Sequence, residues 1–157
     1  MRPSRILFRT GRVVAWSLLL VGWIAVSGCG DGQIARYPVK GTVIVDGQPA
    51  AGALVIFCPV EGGPPELMRE RPYGRTDPQG IFELRTLEPG DGAPAGKYNI
   101  MVRWLPGGAE SQDRGDDRGQ AVSDRLKGRY TNPETSGLTY TVVEAPNEAP
   151  PLQLKTK

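Results

Sequence analysis

Glycine and proline cut this chain into short pieces, and that punctuation limits its fold more than any other feature. The sequence holds 21 glycines and 15 prolines, 36 of its 157 residues, just under the density at which disorder becomes the default. Between the breaks, apolar residues alternate with period two, and beyond residue 28 no stretch carries a convincing amphipathic helical period. Residues 37–45 place Val39, Gly41, Val43 and Val45 on one parity, with Lys40 and Thr42 on the other. Asp46-Gly47 follows, a hairpin signal because both positions tolerate positive φ. Residues 53–58 (ALVIFC) are apolar on both faces, as expected of a central or doubly covered strand. Residues 59–71 are broken by Pro59, Gly62, Gly63, Pro64 and Pro65.

Further short strands are expected over 72–76, 81–84, 97–104, 138–143 and 152–155. The turn Asp77-Pro78-Gln79-Gly80 separates the first two of these. The expected core comprises Val39, Val43, Val45, Val55, Phe57, Phe82, Leu84, Tyr98, Ile100, Val102, Trp104, Leu138, Val142, Leu152 and Leu154. Residues 105–125 are polar and without period, a long loop for a compact domain. Seven short strands and frequent turns predict an all-β sandwich over 37–155.

Residues 1–28 read as an address. Arg2, Arg5, Arg9 and Arg12 precede a 14-residue apolar run, residues 13–26, broken only by Ser17 and Gly22, and no acidic residue stands before Asp31. This is the layout of a secretory signal peptide, and the run is shorter than the ~20 residues a spanning helix needs. Val26-Ser27-Gly28-Cys29 resembles the lipobox of bacterial lipoproteins. The resemblance implies a diacylglycerol thioether on Cys29, cleavage before it, acylation of the new amino terminus, and a lipidated tether over 29–36. It implies an envelope protein facing out of the cytoplasm, and Gly30 after the cysteine points to the outer membrane rather than the inner. Two or three acyl chains anchor stably at ~0.8 kcal/mol per buried methylene.

Charge and composition exclude several functions. Without residues 1–28 the chain has 15 basic and 17 acidic side chains, a net −2, so nucleic acid is not an expected partner. Histidine is absent, which removes Ser-His-Asp and Cys-His catalysis and histidine-based zinc sites. With Cys29 lipidated, Cys58 has no disulfide partner and is expected buried and inert.

The order and spacing of several motifs resemble the transthyretin-like and carboxypeptidase-regulatory-like β-sandwich group, in particular the small lipoproteins abundant in Planctomycetes. The residues are Val39-Lys40-Gly41-Thr42-Val43 leading into Asp46-Gly47-Gln48-Pro49, then Ala51-Gly52-Ala53, Thr76-Asp77-Pro78-Gln79-Gly80-Ile81-Phe82 and Pro94-Ala95-Gly96-Lys97-Tyr98. Tyr130-Thr131-Asn132-Pro133 and Thr135-Ser136-Gly137-Leu138 complete the series. What the resemblance implies is a seven-stranded fold and an envelope location; it supplies no catalytic residue and no cofactor. Transthyretin-like hydroxyisourate hydrolases rely on histidines, which this chain lacks. Isopeptide-forming adhesin domains pair a first-strand Lys with a last-strand Asn. Here Lys40 is expected to face outward, and residues 152–155 hold no Asn.

The remaining constellations are thin. Glu110, Asp113, Asp116, Asp117 and Asp124 are interleaved with Arg114, Arg118, Arg125 and Lys127, which favours a solvated loop over a calcium site. Glu83 and Glu88 are carboxylates for which the sequence offers no pairing. Tyr73 and Tyr130 are the aromatics expected to be exposed. The expected function is a non-enzymatic binding or structural module held to the membrane through Cys29 and contacting an envelope protein or polysaccharide. The alternatives are a glycan-binding module and a carboxylate-dependent cell-wall or glycan hydrolase.

Overall fold

The computed structural model describes residues 34–61, 65–106 and 123–157. The expected leader with Cys29, the tether up to residue 33, and residues 107–122 of the expected loop (with Glu110, Asp113, Asp116 and Asp117) lie outside the described residues.

Alternation builds the first strands. β1 (Arg36–Tyr37) leads into β2 (Val39–Val45), where Val39, Gly41, Val43 and Val45 turn inward and Lys40 faces out. Asp46 and Gly47 take positive φ, 49° and 83°, the conformation a tight two-residue hairpin requires. The chain returns as β3 (Gln48–Pro49), paired Val45 to Gln48. β4 (Leu54–Pro59) points Val55 and Phe57 inward. A five-residue helix, α1 (Pro65–Arg69), follows, in a region whose prolines predict no regular element. Its first residue is a proline, at a position where a missing N–H costs nothing, and Leu67 is buried in the core.

β5 (Tyr73–Arg75) and β6 (Ile81–Glu83) flank the expected turn. There the Asp77 carboxylate accepts from the N–H groups of Gln79 and Ile81 at 2.9 and 2.8 Å. β7 (Ala93–Pro94), β8 (Gly96–Arg103), β9 (Thr139–Val142), β10 (Asn147–Glu148) and β11 (Leu152–Leu154) complete the strands. The fold is all-β, with eleven strands among the described residues, four of them only two residues long.

One sheet is antiparallel in the order β5-β4-β8-β9. In the other, β2 pairs antiparallel with β3 and β6 and parallel with β10 and β11. β1 pairs with β7 separately. The two main sheets meet at one corner, where Tyr73 and Arg85 exchange backbone hydrogen bonds of 2.9 and 2.8 Å.

Both sheets contribute to one core. Val39, Val43, Val45, Phe82, Leu152 and Leu154 face Val55, Phe57, Tyr98, Ile100, Val102 and Val142. Phe57 is the hub, with ring centroids of Phe82, Tyr98 and Tyr140 at 6.4, 5.6 and 6.1 Å. Two expected core residues differ. Trp104 and Leu138 are only partly buried against the cluster, because each lies just outside a strand end. The Trp104 indole N–H donates to the Ala51 carbonyl at 2.9 Å, and the Arg125 guanidinium lies 4.7 Å from its ring. Leu126, which the sequence leaves in polar surroundings, is fully buried.

Candidate functional site

The apolar-on-both-faces character of β4 has a direct consequence. Val55 and Phe57 fill the core, so Leu54 and Ile56 stand half-buried on the outside of the sheet. Strand register then assembles two rows across that outer face. Tyr73, Ile56 and Met101 form one; Arg75, Leu54 and Arg103 form the next. Arg71 closes the side, and together with Leu54, Ile56, Tyr73, Arg75 and Met101 it lines an open groove of about 380 Å³. Arg75 donates to the Gly52 carbonyl at 3.1 Å, and the Arg85 guanidinium lies 5.3 Å from the Tyr73 ring. The four strands of this sheet contain Arg75, Lys97 and Arg103 but no Asp or Glu. Among the described residues, Arg71, Arg75, Lys97 and Arg103 have no carboxylate partner.

Cys58 follows on the same face. It is free, 7% exposed, and its thiol lies 3.4 Å from the Met101 sulfur. Burial raises the thiol pKa, and the nearby Arg71 charge lowers it by less. The group therefore stays protonated at neutral pH and is a poor nucleophile.

The outer face of the β2 sheet has the opposite sign. Lys40 sits opposite Glu83 with the ammonium 2.5 Å from the carboxylate, both side chains more than half exposed. The hydrogen bond to Glu83 raises the Lys40 pKa. Asp77, Glu83 and Glu148 surround Ile81, which is 43% exposed, in a hollow of about 460 Å³ that Lys40 and Thr42 also line. Lys40 faces outward here, as its parity predicts. Glu83 is engaged by Lys40, while Glu88 lies exposed in the loop before Asp91. Among the described residues no group of three or more metal-ligating side chains is placed to hold an ion.

At the chain's entry, Arg36, the last residue of the expected tether, is already a strand residue. Its guanidinium donates to Glu70 at 3.0 Å and lies 3.7 Å from the Asp91 carboxylate. Asp91 in turn accepts from the N–H groups of Thr86, Leu87 and Glu88. Burial pushes the Asp91 pKa up, but these donors and Arg36 together hold it below the ordinary carboxylate value. The entry point is thus fixed at one end of the strands, beside Pro94 and the start of β8.

Asp124, expected in a solvated acidic loop, is a cap. Its carboxylate accepts from Trp104, Leu126 and Gly128 at 2.9, 3.1 and 2.9 Å. Tyr73 is exposed as expected. Tyr130 is half-buried instead, its hydroxyl accepting from the Lys155 N–H at 3.2 Å. The cationic face has no local signature in the sequence, because its charges come from separate strands and cancel in the overall count.

No family model matches the chain, and no curated protein matches it. Among solved structures, it is similar to a 9R-lipoxygenase from Cyanothece, at 13% identity and a TM-score of 0.37, over 76% of this chain and 16% of the lipoxygenase. A likeness at that level carries no argument about fold or activity.

Proposed function

We propose that the protein is an envelope lipoprotein, anchored through Cys29, whose β-sandwich domain is a non-enzymatic binding or structural module. The observation that carries this reading is Val26-Ser27-Gly28-Cys29, placed directly after a basic start and a 14-residue apolar run. The domain is of the transthyretin-like kind, its seven longer strand segments being 39–45, 54–59, 73–75, 81–83, 96–103, 139–142 and 147–154. The grouping of β10 with β11 as one interrupted strand supports that count, since both pair parallel with β2. Two described carboxylates of the hydrolase alternative have other tasks, Glu83 holding Lys40 and Asp124 capping backbone N–H groups, and Glu88 lies exposed in a loop. Contact with another envelope component falls to the outer sheet faces, where large apolar side chains remain open to solvent.

Cross-linking followed by affinity capture of the protein from its native envelope tests this reading. A specific protein partner is expected, its capture unchanged in Glu88→Gln, and neither Glu83→Gln nor Glu88→Gln removes a turnover. Enrichment of polysaccharide, or a measured turnover abolished by either amide substitution with folding intact, would contradict it.

A further inference from the structure

The two outer faces of the sandwich are complementary to each other. On one, Arg71, Arg75 and Arg103 border an apolar floor of Leu54, Ile56 and Met101, with no carboxylate on any strand of that sheet. On the other, Asp77, Glu83 and Glu148 line a hollow with the exposed Ile81, where Lys40, paired to Glu83, is the one cation among the described lining residues. The first face is cationic around apolar atoms and the second acidic around Ile81, so the two match in charge and each offers apolar surface. They lie back to back across the core, so they cannot meet within one molecule. We propose that they meet between molecules: the acidic face around Ile81 of one copy packs against the cationic face around Leu54 and Ile56 of the next.

This deepens the anchored-module reading by naming a second copy of the chain as the contact, and rests on that reading for a shared membrane plane. A contact between two different patches is heterologous, and patches on opposite sides of the core stack copies into a row rather than stopping at a dimer. The stacking direction runs through the sheets. The chain enters at the strand ends, near Arg36. Opposite charges across the contact steer association and make it salt-sensitive.

Sedimentation of the processed protein isolated from its envelope, in non-ionic detergent where the anchor requires it, tests the proposal whether or not Cys29 is modified. The mass of the amino terminus reports the anchor separately. Wild-type protein is expected to associate with rising concentration and to dissociate at high salt. The pair Arg71→Glu with Arg103→Glu leaves two acidic faces, and Glu83→Lys with Glu148→Lys leaves two basic ones. Each double variant alone is expected to weaken association by about tenfold or more, and an equal mixture of the two restores it. Should a charge reversal disturb folding, Arg71→Gln with Arg103→Gln gives the same loss by neutralisation. A wild-type protein that stays monomeric overturns the proposal. So does association that persists in either double variant, or a mixture that does not recover.

Discussion

Gly41 and Phe82 face each other across the β2–β6 pair, and their fit depends on what Gly41 lacks. A Cβ there would lie 2.6 Å from the Phe82 ring, closer than real contacts allow. Gly41→Val is expected to cost about 1–3 kcal/mol through overpacking, read from urea unfolding. Phe82→Ala, which empties a fully buried site, is expected to cost about 3–5 kcal/mol, and Trp104→Ala less, since that ring is only half-buried. The Asp91 carboxylate makes a pH-dependent contribution. Its pKa is lowered from the ordinary 3.8, so the stabilisation is present above that value and is lost as pH falls through the lower folded value. Asp91→Asn is expected to be less stable than wild type at neutral pH, and the difference shrinks as thermal melts move below the ordinary carboxylate range. Of these residues the inward parity of Gly41 and Phe82 was legible in the sequence. The clamp on Arg36 was not, because Glu70 and Asp91 lie 34 and 55 positions away.

Among the elements, strands with strict alternation were legible and those defined by distant partners were not. β2, β6 and β8 each bury one parity, which local sequence alone specifies. The parallel pairing of β10 and β11 along β2 has no local signal, since it joins residues more than a hundred positions apart. α1 escaped for a different reason: five residues following a proline-rich stretch carry too little period to register. The turns over 124–131 are organised by the Asp124 carboxylate, which holds three backbone N–H groups and so places Leu126 in the core. Asp124→Ala leaves those donors without their acceptor and is expected to cost about 1–3 kcal/mol. Hydrogen exchange at the amides of Trp104, Leu126 and Gly128 is expected to accelerate, while exchange in β4 follows only the global loss. An unchanged rate at all three would remove Asp124 from that role.

For the whole molecule, the separation of charge between two outer faces matters more than the net charge, which is nearly balanced. That separation was hidden in the sequence because Arg75, Lys97 and Arg103 come from β5 and β8, and only strand pairing brings them to one side of Leu54 and Ile56. The proposed contact between such faces is favoured where copies are held close, as the proposed lipid anchor would hold them by concentrating them in two dimensions. The proposed anchor is what the shared membrane plane depends on, and amino-terminal mass spectrometry of protein isolated from the cells that make it tests it most directly. The expected result is a chain beginning at Cys29 with a diacylglycerol thioether on its sulfur; an unmodified Cys29, or a chain still carrying residues 1–28, would contradict it.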